Sequence, residues 1–238
     1  MGRTLLTGAT GRLGELLRPR LVAAGESARA ASRSPPADDD AVEWVAMDLA
    51  EGAGVERAVE GVDAVVHAAS DPSGDPTAVD EHGTERLVAA AEDAGVAHFV
   101  YVSVVGVDRI PFSYYEHKLA AERAVEASDV PETVLRATQF HGFVDDLLGA
   151  VARSPVWPLP TDFRVQPVDA REVADALVDA ATGDPQGRAP PVGGPEVRTG
   201  RELVDAYRAA RDLRRLVVRL PVPGAAAAGF RTGESTCP

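Results

Sequence analysis

A tyrosine and a lysine stand four residues apart in the stretch "SYYEHKLAAER", at Tyr114 and Lys118. Lys118 is the only lysine of the chain, and the other 23 positively charged side chains are arginine. Residues four apart on a helix share one face, so the ammonium group of Lys118 is predicted to lie beside the Tyr114 phenol. A nearby ammonium group favours the phenolate and lowers the pKa of the phenol. The pair therefore predicts an acid that gives a proton to a developing alkoxide.

Two other interpretations of this pair stay open. Tyr115 lies three residues before Lys118 and could meet the same ammonium group. Lys118 could instead be a solvated side chain on an exposed helix. Arginine serves the other positive positions, however, and differs from lysine in shape and donor geometry. We take Tyr114 as the proton donor.

The glycine-rich stretch "TGATGRLG" is the second pattern that could do chemistry. It joins a short apolar run to a helical pattern, and its glycines are spaced G-x-x-G-x-x-G. Such a turn lets the backbone approach a pyrophosphate, and the N-terminus of the following helix favours the negative charge. The candidate cofactor contacts in this loop are Thr7, Gly8, Thr10, Gly11, Arg12, Leu13 and Gly14.

Strands and helices must position these residues. Over the first 140 residues, short apolar runs alternate with stretches that have helical spacing. This alternation predicts an α/β fold, a doubly wound parallel sheet of the Rossmann-like kind. Strands are predicted over 4–6, 27–31, 42–49, 63–70, 98–105 and 132–137. One helix is predicted after the glycine loop, and others over 77–94 and 113–127.

The chain changes character after Phe140, where prolines become frequent. Two amphipathic helices are predicted near 171–181 and 201–213, and "RLVVRL" is a candidate last strand. The Ala/Gly-rich residues from 223 onward are left without assigned structure. We predict a dinucleotide-binding domain over residues 1–140 and a smaller substrate-binding portion over 141–238, packed together as one continuous unit.

Composition excludes several classes of partner. The net charge of −13 argues against nucleic acid and anionic membranes. With Cys237 as the single cysteine, no disulfide can form within the chain. No apolar run is long enough to span a membrane, and the ordered pattern from Thr7 leaves little room for a targeting segment. The histidines lack metal-binding spacings, so we expect no metal and a cytoplasmic protein, either monomer or homodimer.

Several stretches together resemble the extended and atypical short-chain dehydrogenase/reductases, and most closely their NmrA-like, NAD(P)H-binding branch. Besides the glycine loop, these are Asp48-Leu49 at the end of the third strand, "HAAS" at the end of the fourth, and "DEHGTERLVAAAEDAGVAHFVYVS". The stretches "LRATQFHGF" and "VQPVDAREVADAL" also match. The similarity covers nearly the whole chain.

The resemblance implies roles for individual residues. Ser103, Tyr114 and Lys118 fall where that family carries its catalytic serine and its Y-x-x-x-K pair. Further cofactor contacts are implied at Asp48, Leu49, Ala68, Ala69, Ser70, Phe140 and, for the nicotinamide ribose, Lys118. The chain departs from the family at Asp80, where the catalytic asparagine would stand, and in the short spacing between Ser103 and Tyr114.

These observations predict an oxidoreductase that transfers a hydride from NADPH to a small apolar carbonyl compound or quinone. NADP(H) is expected over NAD(H), because the second strand leads into Arg33 and reaches no acidic residue before Asp38. Two alternatives remain. One is an NADP(H)-binding sensor without turnover, which the departure at Asp80 keeps open. The other is a sugar-nucleotide epimerase or dehydratase, although few residues follow Phe140 to form its substrate domain.

Overall fold

A parallel sheet forms the core of the protein in the computed structural model, which describes residues 2–36 and 42–238. The strand order is β3-β2-β1-β4-β5-β6-β9, and every neighbouring pair is parallel. The strands are β1 (Arg3–Thr7), β2 (Ser27–Ser32), β3 (Glu43–Ala46), β4 (Ala64–His67), β5 (His98–Val104), β6 (Glu132–Ala137) and β9 (Gly187–Arg188). The first six are in the order typical of dinucleotide-binding folds.

The helices are α1 (Arg12–Ala23), α2 (Val55–Val59), α3 (His82–Asp93), α4 (Ser113–Glu126), α5 (His141–Val151), α6 (Ala170–Thr182), α7 (Gly200–Ala210) and α8 (Ala225–Thr232). Helices α1 and α6 cover one face of the sheet, and α2, α3 and α4 cover the other. Successive strand residues point to opposite faces, so Leu5 packs in the layer of α2, α3 and α4, whereas Leu6 packs in the layer of α1 and α6. The doubly wound α/β fold predicted from the sequence is confirmed.

The residues after Phe140 build a second, smaller cluster and also return to the sheet. Strands β7 (Val156–Leu159) and β11 (Leu216–Arg219) pair in parallel, and β8 (Arg164–Val165) pairs with β10 (Arg198–Thr199). Trp157 is fully buried among residues of α5 and α7. Helix α6 packs on α1, and β9 extends the sheet. The division of the chain at residue 140 stays a prediction.

Three local expectations are corrected. The third strand ends at Ala46, short of Asp48, because the Asp48 N–H bonds Ala53 and closes a turn. The helix predicted from residue 77 begins as a π-helical turn, Thr77–Glu81, which leads into α3. The C-terminal residues left without structure form α8 and a packed tail, with Ser235 fully buried. Within residues 2–36 and 42–238, no helix is long and apolar enough to cross a membrane.

Candidate active site

The glycine loop connects β1 to α1 and leaves room only for glycine at two positions. Gly8 has φ +65°, and a Cβ atom there would lie 2.7 Å from the carbonyl oxygen of Ala68. A Cβ atom on Gly14 would overlap the carbonyl oxygen of Gly8. The two glycines therefore keep the start of α1 in close contact with the loop and with the residues after β4.

The start of α1 has the features of an anion site. Gly11 occupies the N-cap, so no side chain covers the N–H groups of the first turn. Thr10, Gly11 and Arg12 are exposed, whereas Leu13 is buried and packs in the layer of α1 and α6. An uncovered helix N-terminus reached by a glycine cradle fits the pyrophosphate of a dinucleotide. Of the predicted contacts in this loop, Leu13 can contribute only its backbone.

We expect Gly14→Ala to weaken dinucleotide binding by roughly 100-fold, about 2.7 kcal/mol. The added methyl group would force the loop away from α1, and overpacking of this kind costs about 1–3 kcal/mol. Gly149→Ala is the matched control, since Gly149 also lies in a helix and its Cβ would stand 3.6 Å from Tyr207 Oη, an ordinary contact. Calorimetric titration with NADPH on both variants checks this; equal affinities would show that the loop does not hold the cofactor.

Arg12 turns from the glycine loop toward α5. Its Nη2 donates to Asp146 Oδ2 at 2.7 Å, and its guanidinium lies against Gly142. The ion pair is exposed, and such pairs contribute at most about 1 kcal/mol. Arg12 can therefore exchange Asp146 for a phosphate group at small cost.

The predicted adenosine contacts lie at the ends of β2 and β3. Arg33 is exposed directly after β2. Asp48 accepts from the N–H groups of Ala50 and Glu51 through Oδ1, so its carboxylate shapes a turn, and Leu49 is buried in the layer of α2 and α3. Asp38 falls outside the described residues.

Ser70 and Asp80 lie between Tyr114 and Lys118 and connect the two side chains. Tyr114 Oη lies 2.7 Å from Ser70 Oγ, and Ser70 donates to Asp80 Oδ1 at 2.7 Å. Asp80 is fully buried and also accepts from the N–H of Asp71 at 2.9 Å. Lys118 Nζ stands 3.7 Å from Asp80 Oδ1. We call Tyr114, Ser70, Asp80 and Lys118 the polar cluster; it lies after the carboxyl ends of β4 and β5.

Lys118 is almost completely buried, which argues against the solvated-lysine interpretation. It is 3% exposed, donates to the Val102 carbonyl at 3.1 Å, and lies over the Tyr101 ring at 4.3 Å. Burial lowers the pKa of its ammonium group, while the carboxylates of Asp80 and Glu122 act in the opposite direction.

The expectation that Lys118 lowers the pKa of Tyr114 is wrong for the free protein. Burial raises the pKa of Tyr114 well above its ordinary value, and the Asp80 carboxylate raises it further. Only the hydrogen bond with Ser70 lowers the pKa of Tyr114. Burial is the main physical reason for the raised pKa of Tyr114, and the Asp80 carboxylate adds to it because a carboxylate beside a phenol disfavours the phenolate. In the free chain Tyr114 is a neutral acid.

Tyr115 and Ser103 are less suited to the chemistry. Tyr115 is 5% exposed and packs in an aromatic group with Phe112 and Phe230. Ser103 is buried on β5, and among the residues that the structure describes its hydroxyl has no hydrogen-bond partner. Ser70 was expected only as a cofactor contact, but its hydroxyl, and not that of Ser103, bonds the Tyr114 hydroxyl. Its separation of 44 residues from Tyr114 gives no sequence signal for that contact.

A buried histidine connects the glycine loop to the polar cluster. Thr84 donates to the carbonyl of Asp80, so it must accept from His67 Nε2. His67 Nδ1 then accepts from Thr7, whose hydroxyl accepts the N–H of Ala69. Sequence reasoning assigned no role to His67, because a single histidine in an apolar strand resembles ordinary core.

The remaining predicted residues lie after β4 and at the start of α5. Ala68 and Ala69 follow β4 directly and are half-buried against Gly8. Phe140 is the N-cap residue of α5 and packs partly buried in the layer of α1 and α6. His141 begins α5 and bonds Val168 through its backbone.

Fold and site together define an NAD(P)-binding α/β protein with a tyrosine–lysine pair at the carboxyl ends of its strands. The sequence matches the model of the NAD(P)H-binding family over residues 8–184, and the chain belongs to that family. Its relatives place it among the NAD(P)H-dependent oxidoreductases of the short-chain dehydrogenase/reductase type.

Known relatives include enzymes of this kind. The chain is 36% identical over 205 residues to (4-alkanoyl-5-oxo-2,5-dihydrofuran-3-yl)methyl phosphate reductase of Streptomyces griseus, covering 83% of this chain and 70% of that protein. It is 37% identical over 131 residues to uronate dehydrogenase of Pseudomonas putida, covering 53% of this chain and 46% of that protein.

Solved structures show the same fold at low identity. An NADPH-dependent quinone oxidoreductase of Escherichia coli in complex with NADPH superposes with a TM-score of 0.83 at 18% identity, over 98% of this chain and 91% of that one. A nucleoside-diphosphate-sugar epimerase of Staphylococcus aureus gives 0.82 at 21% identity, over 99% and 92%. Reductases and epimerases thus share this architecture.

Proposed function

We propose that this protein reduces a small apolar carbonyl compound or quinone with NADPH, and that Tyr114 gives the proton. The observation that carries the proposal is the connection of Tyr114 to buried Lys118 through Ser70 and Asp80, directly after the residues that pack on Gly8. When bound, the reduced dinucleotide supplies the hydride. Tyr114 then protonates the alkoxide, which is the task of a neutral phenol.

Apolar groups near Tyr114 favour an apolar substrate. Phe112 is 45% exposed at the start of α4 and packs edge to face on Tyr115 and Phe230. Phe163 stacks on Phe230 with the ring centroids 5.4 Å apart, so the aromatic surface continues into the C-terminal residues. The Streptomyces relative is named for a substrate that carries both an alkanoyl group and a phosphate, and the alkanoyl group supports a carbonyl compound with an apolar part.

Incubation with NADPH and a panel of aldehydes, ketones and quinones tests the proposal. We expect at least one apolar member of the panel to cause oxidation of NADPH, which is measured as a loss of NADPH absorbance. Binding of NADPH without turnover of any member would favour the sensor. Turnover of sugar nucleotides alone would favour the epimerase or dehydratase.

We expect Arg33→Ala to weaken NADPH binding by roughly 10- to 100-fold and to leave NADH binding nearly unchanged. A guanidinium after β2 can bond the 2′-phosphate with two parallel donors, and hydrogen bonds to charged groups contribute about 1.5–3 kcal/mol. Arg123→Ala is the matched control, because it also removes one arginine, from the exposed side of α4. Calorimetry with both cofactors provides the comparison, and equal or tighter binding of NADH by the unaltered protein would contradict the NADPH preference.

A further inference from the structure

Asp146 is the carboxylate that holds Arg12 in the free protein. Arg12 is the first residue of α1, and its Nη2 donates to Asp146 Oδ2 at 2.7 Å. Asp146 lies on α5, and its side chain is 66% exposed. Solvent reaches the pair, so an anion from solvent can compete with Asp146 for the guanidinium group.

Gly142 makes room for this contact. It lies four residues before Asp146, so the two residues share one face of α5. A Cβ atom at Gly142 would overlap Arg12 Nη1, and the guanidinium can lie there only while residue 142 is glycine. The neighbouring carboxylate has a different partner, because Asp145 Oδ1 accepts from Arg211 Nη2 at 2.7 Å.

A phosphate of the dinucleotide requires the same guanidinium group. The start of α1 has no side-chain cap, and together with the glycine loop it fits a pyrophosphate. Arg12 extends from this turn. An arginine binds a phosphate with the same parallel donors that it offers to a carboxylate. The donors that Arg12 gives to Asp146 are therefore withheld from a phosphate.

We propose that Asp146 competes with a cofactor phosphate for Arg12 and thereby limits how tightly the protein binds its dinucleotide. Only the molecules in which Arg12 has left Asp146 are ready for the phosphate, and the apparent affinity falls by that fraction. For an exposed ion pair the expected decrease is roughly two- to six-fold. Binding of the dinucleotide also detaches α5 from the glycine loop. The inference requires dinucleotide binding, which characterises the family, and not the proposed reduction.

Calorimetric titration of Asp146→Asn with NADPH and with NADH tests the competition. We expect binding to tighten by roughly two- to six-fold, because the neutral amide releases Arg12. An equal gain for both dinucleotides assigns the contested group as the pyrophosphate, and a gain confined to NADPH assigns it as the 2′-phosphate. No gain with either dinucleotide would overturn the proposal.

Asp145→Asn is the matched control for charge. It removes the neighbouring carboxylate of α5 and also frees one arginine, Arg211, so the net charge changes by the same amount. Its affinity for NADPH should equal that of wild type. The same gain in Asp145→Asn and Asp146→Asn would show a general electrostatic effect in place of competition for Arg12.

A double-mutant cycle shows whether Asp146 acts through Arg12. We expect Arg12→Met to weaken NADPH binding by roughly 10-fold, since hydrogen bonds to a charged group are lost. In this background Asp146→Asn should leave the affinity unchanged, because the contested guanidinium is absent. A gain from Asp146→Asn that persisted in Arg12→Met would contradict the proposal.

Gly142→Ala tests the same competition without a change of charge. The added methyl group should push Arg12 away from Asp146 and so tighten NADPH binding, whereas Gly149→Ala on the same helix should bind like wild type. Equal affinities of these two variants would count against the competition. All of these titrations omit substrate. Gains as expected in a protein that reduces no panel member would refute the proposed function alone, whereas a wild type that binds no dinucleotide would refute both.

Discussion

Tyr114→Phe is expected to reduce turnover by roughly 10²–10⁴-fold, the range for loss of a general acid. NADPH binding should stay nearly intact, because the phenol hydroxyl bonds Ser70 and the rest of the ring is kept. Single-turnover oxidation of NADPH with an active panel substrate measures the chemical step, and calorimetry measures the affinity.

Tyr115→Phe is the control for that result. It removes the same hydroxyl from the neighbouring residue, which is buried in the aromatic group with Phe112 and Phe230. Its turnover should remain close to that of wild type. If Tyr115→Phe were inactive and Tyr114→Phe normal, the proton donor would be Tyr115. If neither mattered while NADPH still bound, the sensor would become the better proposal.

His67 is expected to make the folded protein sensitive to acid. Burial, with a smaller contribution from Lys118, lowers the pKa of His67 to about 3, whereas a histidine in the unfolded chain titrates near 6.5. The stabilisation is therefore complete above about pH 6.5 and is lost as the pH falls toward 3. Between pH 7 and pH 5 this group alone should lower the free energy of unfolding by about 2 kcal/mol.

Urea unfolding of wild type and His67→Gln at pH 7 and pH 5 isolates this contribution. Carboxylates and His98 titrate in both proteins, so the difference between the two pH dependences belongs to His67. His67→Gln should be less stable at pH 7, because Thr7 and Thr84 lose their buried partner, but it should lose about 2 kcal/mol less on acidification. Identical pH dependences would mean that folding does not lower the pKa of His67.

Local spacing in the sequence was enough to predict the fold and to single out the glycine loop and the Tyr114–Lys118 pair. The glycines of the loop and this pair lie within one or two helical turns, where backbone geometry alone decides which residues share a face. The alternation of apolar runs with helical patterns likewise follows from the strand and helix periods. These predictions needed no knowledge of how the elements pack.

The tertiary structure decided which polar groups surround Tyr114. Ser70 and Asp80 follow β4, and they reach the tyrosine only because β4 and β5 are neighbours in the sheet and α4 packs beside the π-helical turn. The same packing raises the pKa of Tyr114, because it buries the phenol next to a carboxylate. It also pairs Arg12 with Asp146, 134 residues away. Contacts at such separations depend on the packing of whole elements, which residue spacing does not encode.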